Sequence, residues 1–392
     1  MKNTGVIARG IVTPIFKQGD NIVDMICTSL TEAAANGGFT LNDGDIVGVT
    51  EAVVGRVQGN YASLEQISKD IKSKFGGGTL GIVFPILSRN RFASTLIGIA
   101  GGCDKLYIQL SYPWDEVGNK IVELSACDEK GVNPYVDHFT EKQFRDVFGM
   151  DTVHKFTGVD YIEYYKEIAG NCEIIFSNDP KYILNYTKNI LCCDIHTRFR
   201  TQALLRNAGA QICLRLDDIL NESVDGSGFS EYGLLGSNKA ADDSIKLFPR
   251  DTDELVYKIR DELRKRTGST LEVMVYGDGC FKDPAAGIWE FADPVVSPAF
   301  TGGLSGVPNE IKIKYIADNE FADLSGQALT DSIRERIKSK ADNLVGDMAA
   351  QGTTPRRIHD LVGSLCDLVA GSGDRGTPIV LVQNYFKNYA SD

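Results

Sequence analysis

Acidic side chains stand at several points where one predicted element gives way to the next. These acids are Asp242, Asp243, Asp278, Glu290 and Asp293. Carboxylates that meet at strand ends can hold Mg²⁺ or Mn²⁺, which prefer oxygen ligands and often bridge to substrate phosphates. Turns also contain aspartate for local reasons, because the side chain caps helices and closes Asx turns. Asp278 is the better metal candidate, since Gly277 and Gly279 leave the backbone on both sides open to a close ligand.

The usual signatures of nucleotide binding and nucleophilic catalysis are absent from the sequence. It contains no GxxxxGK(S/T) loop, no GxGxxG that follows a predicted strand, and no GxSxG motif. The four histidines show neither HxxxH nor HExxH spacing. Arg89, Asn90 and Arg91 are able to bind a carboxylate or phosphate, and solvation of a helix end explains them equally well. Any nucleotide site must therefore be of another kind.

Composition limits the class of protein. With 392 residues and 43% hydrophobic content, the chain can bury a large core, and its length suits two or three structural units. The 41 basic and 53 acidic side chains give a net charge of -12, which argues against nucleic acid as a partner. Neither a signal peptide nor an apolar run of about 18 residues is present, so we expect no membrane association. Nine cysteines without CxxC spacing favour a reducing compartment, and we expect a cytoplasmic protein.

The elements that must position these residues alternate between strand and helix. In the first part, Val6 to Ile15 reads as a strand, Asn21 to Ala35 as an amphipathic helix and Asp45 to Val54 as a buried strand. The glycine-rich segment FGGGT at 75–79 then suggests a boundary, and the following residues carry most of the aromatic side chains. We therefore predict three parts: an N-terminal segment at 1–75, a central module or insertion at 76–205, and a C-terminal core at 206–392.

The C-terminal part returns to alternating strand and helix patterns. The predicted elements are a helix over Glu254–Arg266, a strand over Leu271–Tyr276, helices over Leu329–Met348 and Pro355–Ala370, and a strand over Pro378–Val382. The strand EVMVY ends at GDG, so it delivers Asp278 to its own carboxyl edge. The pattern as a whole predicts an α+β fold with mixed sheets and packed helices.

Six segments, taken in order, resemble the gamma-glutamyl ligases that add glutamate to a precursor of the deazaflavin coenzyme F420. They are TPIFKQGDNIVDMI, LNDGDIVGVTEAVVGRVQGNYASL, YGLLGSNKAADDS, LFPRDTDELVYKIRDELRKRTG, VYGDGCFKDPAAG and LCDLVAGSGDRGTPIVLV. They cover both ends of the chain, and the middle, from about 76 to 205, has only a weak counterpart in the family. The resemblance implies that family's fold and an intertwined homodimer.

The resemblance also implies a reaction and its participants. Ligases of this kind use Mg²⁺ or Mn²⁺ and a nucleotide, GTP or ATP, to activate a carboxylate as an acyl phosphate, which an amino acid then attacks. The expected partners are a small carboxylate acceptor and an amino acid such as L-glutamate. Metal ions lower the barrier by neutralising charge on the transferring phosphoryl group.

Individual roles follow from the matching positions. Asp242 and Asp278 fall on metal-binding acids, while Lys282 and Arg56 are the expected catalytic cations that offset phosphate charge. The residues implied in nucleotide binding are Thr13, Pro14, Glu51, Arg56, Asn238, Ser244, Gly371 and Ser372.

Three positions depart from the family pattern. Ala52 replaces a lysine, Gly279 replaces a threonine beside the metal acid, and Ile245 stands where an asparagine that contacts nucleotide is expected. These departures keep two other functions open. One is a ligase on the same scaffold that uses ATP or another acceptor, and the other is a metal- or nucleotide-binding protein without turnover.

Overall fold

The computed structural model describes residues 4–350, 356–371 and 374–391. Its strands are β1 Ile7–Ile11, β2 Ile46–Thr50, β3 Tyr61–Ser63, β4 Thr79–Val83, β5 Lys105–Leu110, β6 Phe139–Thr140, β7 Val153–His154, β8 Val159–Asp160, β9 Cys172–Phe176, β10 Asn189–Cys192, β11 Ile212–Arg215, β12 Asn238–Ala241, β13 Ser244–Lys246, β14 Glu272–Tyr276, β15 Phe281–Lys282, β16 Trp289–Glu290, β17 Ala299–Phe300 and β18 Ile379–Gln383. Its helices are α1 Ile22–Gly37, α2 Glu51–Val57, α3 Leu64–Phe75, α4 Phe92–Gly101, α5 Leu124–Lys130, α6 Glu141–Phe148, α7 Tyr161–Ala169, α8 Arg198–Asn207, α9 Thr252–Thr267, α10 Ile313–Asn319, α11 Gly326–Lys338 and α12 Ile358–Ala370.

The first sheet is mixed and has the order β1-β18-β2-β14-β17. Strands β2 and β14 are parallel, and β18 lies between β1 and β2, antiparallel to both. Alternate side chains of β14 enter different cores: Val273 packs with α1 and α9, and Met274 packs with α12. Because both faces are covered, the strand is a continuous apolar run from Val273 to Tyr276.

The second sheet has the order β11-β10-β4-β5-β9-β6, and its first five strands are parallel. Strand order reverses between β4 and β10, the arrangement of a doubly wound sheet. Helices α3, α4 and α7 contribute to the large core on one face, and Leu205 of α8 packs with a smaller core. The sheet takes its strands from residues 79–215, so its last strand lies beyond residue 205, and the predicted division at 75 and 205 stays a prediction.

A small third sheet has the order β12-β13-β3, and its strand β3 lies between α2 and α3 in the sequence. A buried amide side chain fixes the loops around this sheet. Asn60 is fully buried; its Nδ2 donates to the Phe248 carbonyl, and its Oδ1 accepts the Phe229 N–H. Helices α10 and α11 form a separate small core around Ile316 and Ile333. Within the described ranges, no helix combines the length and apolar content that crossing a bilayer requires.

The predicted α+β class with mixed sheets and packed helices is confirmed, and most element predictions are close. The predicted helices at α1 and α9 and the strands at β14 and β18 are confirmed to within a few residues. Two strand predictions were too long, since β1 ends at Ile11 and β2 ends at Thr50. The β2 pattern stops there because the Thr50 side chain accepts the Ala52 N–H and begins α2.

The helix predictions in the last third are only partly correct. The helix predicted over Leu329–Met348 ends at Lys338, and a looser segment follows. The helix predicted from Pro355 begins at Ile358, and Pro355 itself lies outside the described residues.

Candidate active site between two sheet edges

The carboxyl edges of both sheets face one interface. Strand β14 leads directly to Asp278, and the loop after β4 leads to Arg91 at the start of α4. The Arg91 guanidinium lies with Nη2 2.6 Å from Asp278 Oδ2 and Nη1 2.7 Å from Asp293 Oδ1. One arginine that follows β4 of the second sheet therefore joins two acids between β14 and β17 of the first sheet, at the strand edge where α/β proteins commonly bind ligands.

The approach of these two acids depends on a glycine. Asp293 is buried, and its Oδ2 accepts the backbone N–H of Asp278 at 2.8 Å. A Cβ added to Gly277 would lie 2.7 Å from Asp293 Oδ2 and 2.9 Å from the Val295 carbonyl oxygen. Only glycine leaves space for the carboxylate here, so Gly277 is required for the geometry of the acid cluster.

A second buried ion pair lies at the end of β2. Lys246 Nζ contacts both carboxylate oxygens of Glu51, at 3.0 and 2.8 Å. Burial raises the pKa of Glu51, and the ammonium of Lys246 opposes that effect. Glu51, the first residue of α2, is therefore held at the same sheet edge as Asp278, one strand away.

Burial and repulsion between like charges both raise the pKa of Asp278. Burial raises the pKa of Asp278 to about 7, the Asp293 carboxylate adds to that effect, and Arg91 opposes it. A third carboxylate, Asp367 of α12, accepts the Gly279 N–H at 2.9 Å, and burial also raises its pKa. Additional positive charge at this cluster would therefore be favourable.

A cleft of about 360 Å³ opens beside the cluster. It is lined by residues 13–16, by Thr50, Ala52, Val53, Arg56, Tyr276, Asp367, Ala370 and Gly371, and by residues 375–378. Asp367 lines the cleft and also accepts the Gly279 N–H, so the cleft is continuous with the acid cluster. Tyr276 is 2% exposed and its hydroxyl has no hydrogen-bond partner among the described residues. The exposed side chains of Arg56 and Arg375 give the cleft wall positive charge suited to an anionic ligand.

A sequence model of the F420-0:Gamma-glutamyl ligase family matches residues 10–384. The chain belongs to that family. A search of curated proteins found no match. The family match runs through the middle segment at 76–205, whereas the six motif resemblances were confined to the two ends of the chain.

The structure brings several of the residues implied by the family resemblance together in the cleft. Thr13, Pro14, Arg56 and Gly371 all line it, although they come from three distant segments of the chain. Glu51 precedes Ala52 of the cleft wall directly and faces Lys246. Ser372 lies outside the described residues.

Other residues implied by the family pattern have different surroundings. Asn238 and Ser244 lie on the β12–β13 hairpin, and Asp242 lies in its turn, fully exposed and paired with Lys239 at 2.8 Å. The described contacts of Asp242 do not include Asp278. Lys282 is exposed and lies over the Trp289 ring, 5.3 Å from its centroid.

The departures from the family pattern have local structural causes. Ile245 is fully buried in β13, so its side chain serves the core rather than the cleft. A Cβ at Gly279 would lie 3.0 Å from both Asp367 Oδ2 and Ser364 Cα, so a larger residue would crowd α12. Ala52 is exposed on the cleft wall, where it leaves space that a lysine would fill.

The oxygen donors of this cluster fit a divalent metal ion only in part. The clustered carboxylates are the hard oxygen donors that Mg²⁺ and Mn²⁺ prefer. Among the described residues, however, no group of three or more His, Cys, Asp or Glu side chains is arranged to hold an ion. Mg²⁺ commonly binds through one or two carboxylates together with substrate phosphates. Arg91 contacts only Oδ2 of Asp278, so Oδ1 is left for an ion that a substrate phosphate would also bind.

Sequence reasoning did not assemble the cluster itself. Arg91 and Asp293 were each noted as polar residues at an element boundary, but they are 202 positions apart and nothing local connects them. Asp367 and Tyr276 fall within predicted elements, and no local pattern marks either side chain as part of the site. A usable signal for Asp367 is that its carboxylate interrupts the apolar segment LCDLVA near the end of α12, just before Gly371.

Proposed function

We propose that this chain forms an amide bond between a carboxylate acceptor and an amino acid, by the gamma-glutamyl ligation of its family. The observation that carries the proposal is the continuity of the cleft with the acid cluster through Asp367. A nucleotide in the cleft would place its phosphates toward the carboxyl ends of β2 and β14. The acceptor carboxylate would be activated there as an acyl phosphate and attacked by the amine of the amino acid.

The chain's own side chains supply charge and position in this scheme. Arg56 is held by donating from Nε to the Phe16 carbonyl at 2.7 Å, which leaves the end of its guanidinium for a phosphate. Arg375 lies across the same cleft next to Gly371. Mg²⁺ or Mn²⁺, when bound with the nucleotide at Asp278, would neutralise charge on the phosphoryl group.

The remaining parts of the proposal follow the family. GTP or ATP is the nucleotide, L-glutamate is the amino acid, and the protein is a homodimer. We place the reaction in the cytoplasm, and the nine free cysteines support a reducing compartment.

The test compares Asp278→Asn with Asp242→Asn. Phosphate release would be measured with GTP and ATP, with Mg²⁺ and Mn²⁺, and with L-glutamate and a panel of carboxylic acids. Asp278→Asn should lower turnover about 100-fold and weaken Mn²⁺ binding, because it removes a metal-binding carboxylate. Asp242→Asn should stay near wild type, because that side chain is fully exposed in a hairpin turn. An equal loss of phosphate release in both variants would show that Asp242 takes part in the reaction. Unchanged Mn²⁺ affinity in Asp278→Asn would show that Asp278 does not bind the metal.

A second function is favoured by the charge balance of the cluster. Arg91 and Lys246 pair with Asp278, Asp293 and Glu51 and so offset part of the negative charge that metal ions would otherwise neutralise during turnover. A binding protein of this kind would hold Mn²⁺ or a nucleotide tightly and release no phosphate with any acceptor in the panel.

A further inference from the structure

The cleft carries charges of both signs where α12 ends. Asp367, in the last turn of that helix, lines the cleft together with Arg56 and Arg375. It is the only acid among the described residues that line the cleft. We propose that this end of the cleft binds the amino-acid substrate, with its ammonium group on Asp367 and its α-carboxylate on Arg375. The choice of an amino acid rests on the proposed function, whereas its binding can be measured without turnover.

Asp367 differs from the neighbouring acids in its partners. Asp278 and Asp293 are both held by the guanidinium of Arg91. Asp367 instead accepts the uncharged Gly279 N–H with Oδ2 at 2.9 Å, and it forms no ion pair with any described lysine or arginine. Its Oδ1 is therefore left for a cationic group that enters the cleft.

Arg375 lies close to Asp367 without pairing with it. The Gly371 N–H donates to the Asp367 carbonyl at 3.2 Å, so Gly371 follows Asp367 by one helical turn. A Cβ at Gly371 would lie 2.8 Å from Arg375 Nη1 and 3.0 Å from Arg375 Cζ, so the guanidinium rests on the backbone of Gly371. Among the described residues, Arg375 has no ion-pair partner. One wall of the cleft therefore presents an anion and a cation that are both left for a ligand.

A zwitterion suits these two charges. The ammonium and carboxylate groups of an α-amino acid share one carbon atom, so a single small molecule can form charge-assisted hydrogen bonds to Asp367 and Arg375 together. Nucleotide phosphates carry only negative charge, and the Asp367 carboxylate would repel them. Arg56 comes from α2, a different segment of the cleft wall, and remains for a phosphate.

Tyr276 provides an independent observation that points to a ligand. Its side chain is 2% exposed and lines the same cleft, and its hydroxyl has no hydrogen-bond partner among the described residues. Buried hydroxyls are normally hydrogen-bonded, so a polar atom of a bound ligand would complete this group. An oxygen of the amino-acid carboxylate has the required acceptor character.

The position of Asp367 suits the chemistry of the proposed function. Asp367 contacts Gly279, which follows Asp278 directly, so a nitrogen atom on Asp367 lies where the cleft joins the acid cluster. There the ammonium group, after losing one proton to solvent, would attack the acyl carbon. The C–N bond forms while the C–O bond to phosphate breaks, and the phosphate leaves with that electron pair and the second proton of the amine.

The test uses L-glutamate and two probes that each lack one of its charged groups. Glutarate lacks the ammonium group, and 4-aminobutyrate lacks the α-carboxylate. Binding to the full chain would be measured by isothermal titration calorimetry in Mg²⁺, with and without non-hydrolysable analogues of GTP and ATP. Wild type should bind L-glutamate saturably and each probe at least about tenfold more weakly, because each probe lacks one charge-assisted hydrogen bond.

Two variants assign the contacts. Asp367→Asn should weaken binding of L-glutamate by about tenfold and leave glutarate unchanged, whereas Arg375→Gln should weaken L-glutamate equally and leave 4-aminobutyrate unchanged. Asp367→Asn keeps an oxygen for the Gly279 N–H, and Arg375 is exposed, so both variants should fold. The matched controls are Asp360→Asn and Arg357→Gln, at the other end of α12 and outside the cleft wall.

The outcomes separate this site from the proposed function. No saturable binding of L-glutamate by wild type in any of these conditions, or unchanged binding in Asp367→Asn, overturns the site. A loss of Mn²⁺ affinity in Asp367→Asn as large as that in Asp278→Asn also overturns it, because Asp367 would then hold a metal ion. Saturable binding that depends on Asp367 and Arg375, without phosphate release under any condition, supports the site and overturns the ligase proposal. Phosphate release that requires L-glutamate, with an unchanged KM for L-glutamate in both variants, supports the ligase proposal and overturns the site.

Discussion

Arg91 occupies the position that a cation would take between two carboxylates. Its guanidinium contacts Asp278 and Asp293, and the three side chains are 17%, 27% and 2% exposed. Removing one partner of such a buried pair leaves uncompensated charge, which costs more than the pair itself contributes. The residue therefore has two consequences at once: it stabilises the interface between the two sheets, and it competes with any added metal ion.

Replacing Arg91 should therefore lower the stability of the protein and raise its affinity for a metal ion. Arg91→Gln should lower the free energy of unfolding by about 3 kcal/mol, because Asp278 and Asp293 lose their counterion. The same variant should bind Mn²⁺ more tightly, since the two carboxylates become available. Urea denaturation and Mn²⁺ titration would measure the two effects.

The matched control is Lys105→Gln, which breaks an exposed ion pair with Glu173. Exposed pairs contribute less than about 1 kcal/mol, so this variant should be nearly as stable as wild type. A loss in Arg91→Gln no greater than that of the control would show that Arg91 contributes nothing to the interface.

At the scale of elements, sequence patterns predicted the strands and helices whose position is set by which of their faces are buried. The run EVMVY predicted β14 because both faces of that strand are covered, and the amphipathic pattern of α9 predicted its helix. Gly277 and Gly279 flank Asp278 in the sequence, and a Cβ at either would lie close to a carboxylate oxygen, that of Asp293 or of Asp367. The end of β2 was not predicted, because a threonine cap decides it, and neither was the pairing of Arg91 with Asp293. Contacts between distant segments leave no periodic signal in either partner.

The junction between β10 and α8 contains a buried acid with one unsatisfied oxygen. Asp194 is 1% exposed; its Oδ2 accepts from the hydroxyls of Thr197 and Thr201 at 2.6 and 2.7 Å, and Oδ1 has no partner among the described residues. Burial raises the pKa of Asp194 to about 6, from an ordinary value near 4. The folded state therefore binds a proton more tightly than the unfolded chain.

This junction predicts a pH-dependent difference in stability. The stabilisation from protonated Asp194 is complete below about pH 4 and is lost as the pH rises to about 6. The asparagine in Asp194→Asn does not titrate. Between pH 4 and pH 7, the free energy of unfolding of this variant minus that of wild type should therefore rise by on the order of 3 kcal/mol. Urea denaturation at several pH values would measure this. Asp146→Asn, at a 63% exposed side chain, is the control, and parallel curves for wild type and Asp194→Asn would contradict the prediction.

For the whole molecule, the predicted homodimer has a candidate contact surface. Ile15 and Val12 are 79% and 70% exposed, and Ile15 also lines the cleft. Light scattering should give twice the mass of the chain for wild type at micromolar concentration. Ile15→Asp should shift the protein toward the monomer, because a charge would then be buried at the interface. Val345→Asp, at a 92% exposed residue in the segment after α11, should not. A monomeric wild type would exclude the dimer.

The position of β18 has a consequence for how the protein forms during synthesis. Strands β1 and β2 are translated well before β18, which lies between them in the sheet and is the last of the described strands along the chain. The nascent chain can complete the second sheet after residue 215, while the first sheet must wait for residues 379–383. The acid cluster, which needs both sheet edges, therefore forms only after residues 379–383 have been synthesised.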